Sequence, residues 1–167
     1  ENMTSKNSSA SPYEYYSTLV LASPGLDFEA NGSAANNNTY TVNLKVSDGT
    51  VSNDITQTIT INLQDKSESP IINMSDFTYD FEENKTTSDV IVTILGEDED
   101  GDDLSWSISN SSNNDGGIFS ISETSSSSGT SYADLKFTSV PDYETQTDNG
   151  TSDGVYDVTV KLQDDSS

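Results

Sequence analysis

"TYTVNLKVSD" (residues 39–48) and "VYDVTVKLQD" (155–164) decide the fold. The first places Tyr40, Val42, Leu44 and Val46 at alternate positions. The second does the same with Tyr156, Val158, Val160 and Leu162. A period of two puts every apolar side chain on one face of an extended chain, which is the signature of a half-buried strand. The two stretches also match each other: Tyr40 answers to Tyr156, Lys45 to Lys161 and Asp48 to Asp164. The chain is therefore expected to be built of strands and to contain a repeated unit.

Other segments alternate in the same way. "ITQTITINL" carries Ile55, Ile59, Ile61 and Leu63, and "LSWSIS" carries Leu104, Trp106 and Ile108. "IFSIS" carries Phe119 and Ile121, and "YADLKF" carries Ala133, Leu135 and Phe137. "DVIVTIL" is apolar on both faces from Val90 to Ile94, as a central strand would be. No stretch sustains a helical period. Clusters of Ser, Asn, Gly and Asp separate the segments and supply turn chemistry. The expected class is all-β, with short antiparallel strands in an immunoglobulin-like sandwich.

The repeat extends beyond the opening pair. "LVLASPGLDFE" (19–29) resembles "LKFTSVPDYE" (135–144), so "LDFE" and "PDYE" are expected to follow equivalent strands. This divides the chain into residues 1–65, holding the later strands of one unit, and 66–167, a second unit lacking its last strand. The unit ends are expected to be either cut from a longer array or completed by a neighbouring subunit that donates a strand.

Composition narrows the function. Against 29 Asp and Glu stand 6 Lys and Arg, for a formal charge of −23. Nucleic acid and anionic membrane are poor partners for such a surface. Only 31% of residues are hydrophobic, which admits disorder, but the regular strand period argues against it. Without Cys or His, thiol and Ser–His catalysis are excluded and zinc loses its usual ligands. Oxygen donors remain, and these suit calcium. No apolar run reaches the roughly 20 residues of a membrane span. No signal peptide is visible at Glu1, so the chain reads as a processed or excised piece.

The acids are not evenly spread. Six of the seven residues from Glu97 to Asp103 are acidic, interrupted only by Gly101. An EF-hand fails here: with Gly101 sixth in the loop, Gly96 would stand first and Ser107 twelfth, and neither is an acid. In extended chain Asp27 and Glu29 point the same way, as do Asp142 and Glu144, so each pair is expected to hold an ion side by side. Asp65, Ser67 and Glu68 fall at the boundary between units, just before Pro70. Glu83 opens the second unit, and Asp164 ends its late strand.

Taken in order, "FEEN", "EDEDGDDLSWSI", "PDYE", a strand ending in Asp, and "LQDKSESP" resemble the cadherin-like repeats of extracellular adhesins, particularly the bacterial and marine type. The resemblance covers nearly the whole chain. It implies Ca2+ between consecutive repeats, held by Asp27 and Glu29 from the first unit, Asp65, Ser67 and Glu68 from the linker, and Asp98, Asp100, Asp102 or Asp103, and Asp164 from the second. Glu83, Asp142 and Glu144 would serve the far end, and Asp48 would face a preceding repeat. Ser67 stands where the family usually has Asn, and Asp165 where it has Gly. Both departures imply weaker or fewer ions.

Eight Asn-x-Ser/Thr sequons begin at Asn2, Asn7, Asn31, Asn37, Asn73, Asn84, Asn110 and Asn149. Chance gives about four in a chain so rich in Asn, Ser and Thr. Glycans at these positions would shield an extracellular fibre. Trp106 lies on the inward period of its strand and is expected in the core. Tyr13, Tyr15 and Tyr16 are expected to form an aromatic cross-strand ladder. No pair of acids is spaced to mark a glycosidase, and no enzymatic activity is expected. The sequence thus points to a calcium-rigidified repeat of an adhesin or surface fibre at the cell surface. Its expected partners are neighbouring repeats or subunits, with cell-surface or matrix glycans or proteins as further candidates. The alternatives are a self-assembling filament subunit and a spacer or carbohydrate-binding module of a secreted protein.

Overall fold

The computed structural model describes residues 5–6, 15–21, 25–30, 32–47, 49, 53–109, 115–148 and 153–165. It is all-β with antiparallel sheets, and no α-helix occurs among the described residues. The chain divides into two compact units, Glu1–Asp65 and Lys66–Ser167.

In the first unit β1 (Ser5–Lys6) pairs with β2 (Tyr15–Tyr16), and β3 (Thr39–Val46) pairs with β4 (Ile55–Asn62). The β3–β4 register runs from Thr39 opposite Asn62 to Val46 opposite Ile55. Lys45 forms an ion pair with Asp54 at the end of this hairpin where the chain passes from β3 to β4. No hydrophobic residue of this unit is fully buried among the described residues, and Val46 and Ile55 are 57% and 68% exposed. One expectation fails here. Leu19–Leu21 form no strand and are exposed, because the described part of this unit offers that segment no neighbouring sheet. The backbone register sets Lys6 opposite Tyr15 and Ser5 opposite Tyr16, and Tyr13 lies outside the described residues.

The second unit carries the core. β5 (Ile71–Asn73), β6 (Val92–Glu97), β8 (Phe119–Ser127) and β9 (Thr130–Phe137) form one sheet in the order β5-β6-β9-β8. β7 (Leu104–Ile108) and β10 (Val160–Asp164) form a second, two-stranded sheet. Inward residues of both sheets meet: Ile94, Phe119, Leu135 and Phe137 are buried, with Trp106, Ile108, Tyr156, Val158 and Val160 packed against them. Trp106 donates from Nε1 to Ser131 Oγ (2.8 Å), and Ser131 Oγ donates to Glu123 Oε2 (3.1 Å), so the indole's polar edge is satisfied.

Three boundaries differ from those expected of the sequence. The central strand begins at Val92, with Val90 exposed, and runs on through Gly96 and Glu97. Gly96 lets the sheets pack closely there, since a Cβ would lie 2.7 Å from Leu162 Cδ2 and 2.8 Å from Trp106 Cζ2 and those side chains would have to shift. β8 continues through the Ser-rich run to Ser127, because β9 supplies a pairing edge that overrides the turn-forming habit of Ser; a bulge at Glu123–Ser125 absorbs the extra residue. Strand pairing of the last segment starts only at Val160, although Tyr156 and Val158 already pack on the core.

Candidate metal-binding loop

The acidic loop after β6 is anchored rather than loose. The Asp98 amide donates to the Gly129 carbonyl (2.8 Å), and Ser128 Oγ donates to the Gly101 carbonyl (3.1 Å). Gly101 and Gly129 both have positive φ, 81° and 66°. A Cβ on Gly129 would meet the Asp98 carbonyl oxygen at 2.5 Å and Gly101 Cα at 2.8 Å. The β8–β9 turn and the acidic loop thus touch backbone to backbone, a fit only glycine permits. Gly129→Ala is expected to cost about 1–3 kcal/mol, read as a lower urea midpoint, because it adds strain at positive φ to a backbone clash.

Within the loop, Asp98 Oδ1 accepts from the Asp102 amide (3.2 Å), and Asp100 Oδ2 accepts from the Glu68 amide (2.7 Å). Asp98, Asp100 and Asp102 are half-buried, and one carboxylate oxygen from each lies within 4.8 Å of the others. Asp98 Oδ2 is buried with no hydrogen-bond partner among the described residues. A buried carboxylate oxygen without a donor costs free energy, and beside two further carboxylates the charge is worse placed still. A cation accepting oxygen ligands would satisfy all three groups. The donor set is oxygen only, as a hard cation requires. In the same unit Glu68 and Asp100 also offer oxygens within 4.8 Å of each other.

The other expected ligands divide. In the first unit Glu29 and Asp65 bring carboxylate oxygens within 4.8 Å of one another. Asp27 does not stand beside Glu29 as an extended chain would place it. Its Oδ1 accepts from the Ala30 amide (2.7 Å), closing a turn over residues 28–30. Asp142 closes a similar turn, accepting from the Glu144 and Thr145 amides at 2.9 and 3.0 Å, so this pair too is not extended. Here the acids still converge: Glu83, Asp142 and Glu144 form a second exposed cluster, with Glu83 Oε2 accepting from the Tyr143 amide (3.1 Å). Ser67 is exposed in the segment before β5, and Asp164, opposite Leu104 at the end of β10, joins none of the clusters. Asp48 lies outside the described residues.

Two acids away from these clusters titrate low. The Lys45 ammonium, then the Ser47 hydroxyl, holds the Asp54 carboxyl below its ordinary range. The Thr86 amide and hydroxyl do the same for Asp89, an ordinary capped turn.

Family models, curated proteins and solved structures give no match to this chain.

Of the sequons, Asn37, Asn73 and Asn84 are exposed; Asn73 Nδ2 donates to Glu97 Oε2 (2.7 Å). Asn2, Asn7, Asn31, Asn110 and Asn149 lie outside the described residues. No helix among the described residues is long and apolar enough to cross a membrane. An aromatic cleft has no counterpart in the sequence motifs. Phe77, Tyr79, Phe81, Tyr143 and Tyr156 line this cleft of about 770 Å³ in the second unit. Phe77 and Tyr143 are 81% and 73% exposed. Phe77, Tyr79 and Phe81 alternate with Thr78 and Asp80, so a two-residue period is the signal in the sequence that points to it.

Proposed function

We propose that the two units are tandem cadherin-like repeats of an extracellular adhesin or surface fibre, stiffened at their joint by calcium. The observation that carries this reading is the buried, unpartnered Asp98 Oδ2 beside Asp100 and Asp102. The fold supports it. The order β5-β6-β9-β8 on one sheet and β7–β10 on the other follows the arrangement of immunoglobulin-like sandwiches, whose sheets are ordered ABED and CFG. The resemblance of the acidic blocks to cadherin-like motifs supports it further. Asp98, Asp100 and Asp102 would hold the ion, with Glu68 completing the set from the segment that enters the unit. Glu29 and Asp65, already paired in the first unit, would supply its share.

The working principle is electrostatic. Without a cation, carboxylates gathered at the joint repel each other and favour bent, open arrangements. Calcium bound by groups from both units makes a straight arrangement the lowest in free energy, so binding and stiffness are linked. The stalk then holds an adhesive surface away from the cell, toward glycans or proteins of the surroundings. Small-angle X-ray scattering tests this: the maximum dimension should lengthen and the distance distribution should narrow when calcium replaces EDTA. Identical curves would count against a calcium-stiffened joint.

The aromatic cleft favours a second reading, a carbohydrate-binding spacer module. Glycan titrations monitored by tyrosine and tryptophan fluorescence distinguish it.

A further inference from the structure

Ser128 and Gly129 form the turn between β8 and β9, with Ser127 and Thr130 paired across its base. The turn meets the acidic loop at two points. The Gly129 carbonyl accepts from the Asp98 amide, where the loop begins. The Ser128 hydroxyl donates to the Gly101 carbonyl. Consecutive residues of the turn therefore pin both ends of the segment 98–102, and all three half-buried acids lie on that segment. The second contact reaches a carboxylate through one peptide group. The Gly101 carbonyl belongs to the same peptide as the Asp102 amide, and that amide donates to Asp98 Oδ1 (3.2 Å). Ser128 thus holds the peptide that holds Asp98, whose other oxygen, Oδ2, is the buried one without a partner among the described residues.

The turn is firmly placed in its own right. Trp106 on β7 donates to Ser131 Oγ, just past the turn, and Ser131 Oγ donates to Glu123 Oε2. Ser126 Oγ donates to Glu123 Oε1 (2.8 Å). These bonds link the two strands of the hairpin and tie it to the second sheet. Gly129 is buried although it sits at a hairpin tip, because the acidic loop lies against it.

Carboxylates held this close repel one another. A loop with free ends would swing them apart into solvent, and an ion would then have to gather them again. A loop pinned at both ends keeps them together, so the ordering is complete before the ion arrives. Such preorganisation raises affinity without adding a ligand, as groups that orient metal ligands from outside commonly do.

We infer that Ser128 and Gly129 are positioning residues for the cation: the β8–β9 turn holds the loop after β6 in its ion-binding shape and sets its affinity. The inference rests on the calcium reading of that loop and adds to it residues that touch no ion. Coupling of this kind is reciprocal, so a bound ion also makes the end of the hairpin harder to open.

Calorimetric titration of the EDTA-dialysed full chain with calcium tests it, using Ser128→Ala, Ser128→Thr and Ser122→Ala. Ser128 is exposed, so loss of its hydroxyl leaves no cavity. Ser128→Ala should weaken binding roughly three- to tenfold, the net effect of one hydrogen bond. Ser128→Thr keeps a hydroxyl and should restore the affinity. Ser122→Ala, exposed on β8 and paired with Asp134 rather than with the loop, should bind as the unsubstituted chain does. Hydrogen exchange followed by NMR supplies a readout without metal. In EDTA the Asp98 amide should exchange faster in Ser128→Ala than in the unsubstituted chain, and calcium should slow it in the latter. Equal calcium affinity of Ser128→Ala and the unsubstituted chain overturns the inference and leaves the calcium reading standing, even where the urea midpoint falls. Equal exchange of the Asp98 amide in the two metal-free proteins overturns it as well. A flat titration of the unsubstituted chain is a different result: it overturns the calcium reading and this inference together.

Discussion

Calcium should raise the melting temperature of the EDTA-treated chain, and Asp98→Ala with Asp100→Ala should remove most of that gain. The size follows from linkage. At free calcium about 100-fold above the dissociation constant, binding to the folded state alone contributes about 2.7 kcal/mol. Each kcal/mol moves the midpoint of a unit the size of Lys66–Ser167, about 100 residues, by about 4–8 °C. The double substitution also removes acceptors for the Asp102 and Glu68 amides, so each protein is compared with itself, calcium against EDTA. The calcium-dependent difference isolates the ion from the loop's own hydrogen bonds. Replacing Asp27, whose carboxylate closes its own turn, should leave that difference nearly unchanged. Differential scanning calorimetry reads all three.

Phe137→Ala should cost about 3–5 kcal/mol, the range for deleting a buried aromatic ring. Phe137 is 6% exposed and stacks on Phe119 at a centroid distance of 4.7 Å. Phe81 and Tyr156 meet it edge-on at 5.0 and 6.0 Å. Removing it opens a cavity bordered by β8, β9 and the segment entering β10, which cannot all close at once. Against a net stability of about 5–15 kcal/mol, that loss leaves the second unit marginal or unfolded. Phe77→Ala, at an 81% exposed ring, is the control and should change stability by less than about 0.5 kcal/mol. Urea titration followed by Trp106 fluorescence distinguishes the two, since Trp106 packs on this core.

Strands whose apolar residues alternate are legible in the amino-acid sequence. Tyr40–Leu44, Leu104–Ile108 and Ala133–Phe137 put their side chains where a two-residue period says, because burial on one face is what the period encodes. The strand boundaries that differ share one cause, dependence on partners distant in sequence. The serines of β8 are extended because β9 lies beside them, while Leu19–Leu21 have no sheet beside them among the described residues. Among the acids, local hydrogen bonding competes with the extended geometry that alternation implies. Asp27 commits an oxygen to the Ala30 amide and leaves Glu29, whereas Glu83 joins Asp142 and Glu144 across about 60 residues. Position along the chain identifies the acidic loop. Its anchoring by Gly129, and the unpartnered oxygen of Asp98, depend on a hairpin about thirty residues away that no local pattern reveals.

Calorimetric titration of calcium into the EDTA-dialysed, metal-free chain is the most direct measurement. The expected result is saturable binding that Asp98→Asn with Asp100→Asn weakens at least tenfold while the near-ultraviolet signal of Trp106 is retained. A flat titration of the folded chain, or binding that the double substitution leaves unchanged, would contradict a calcium site in the loop after β6.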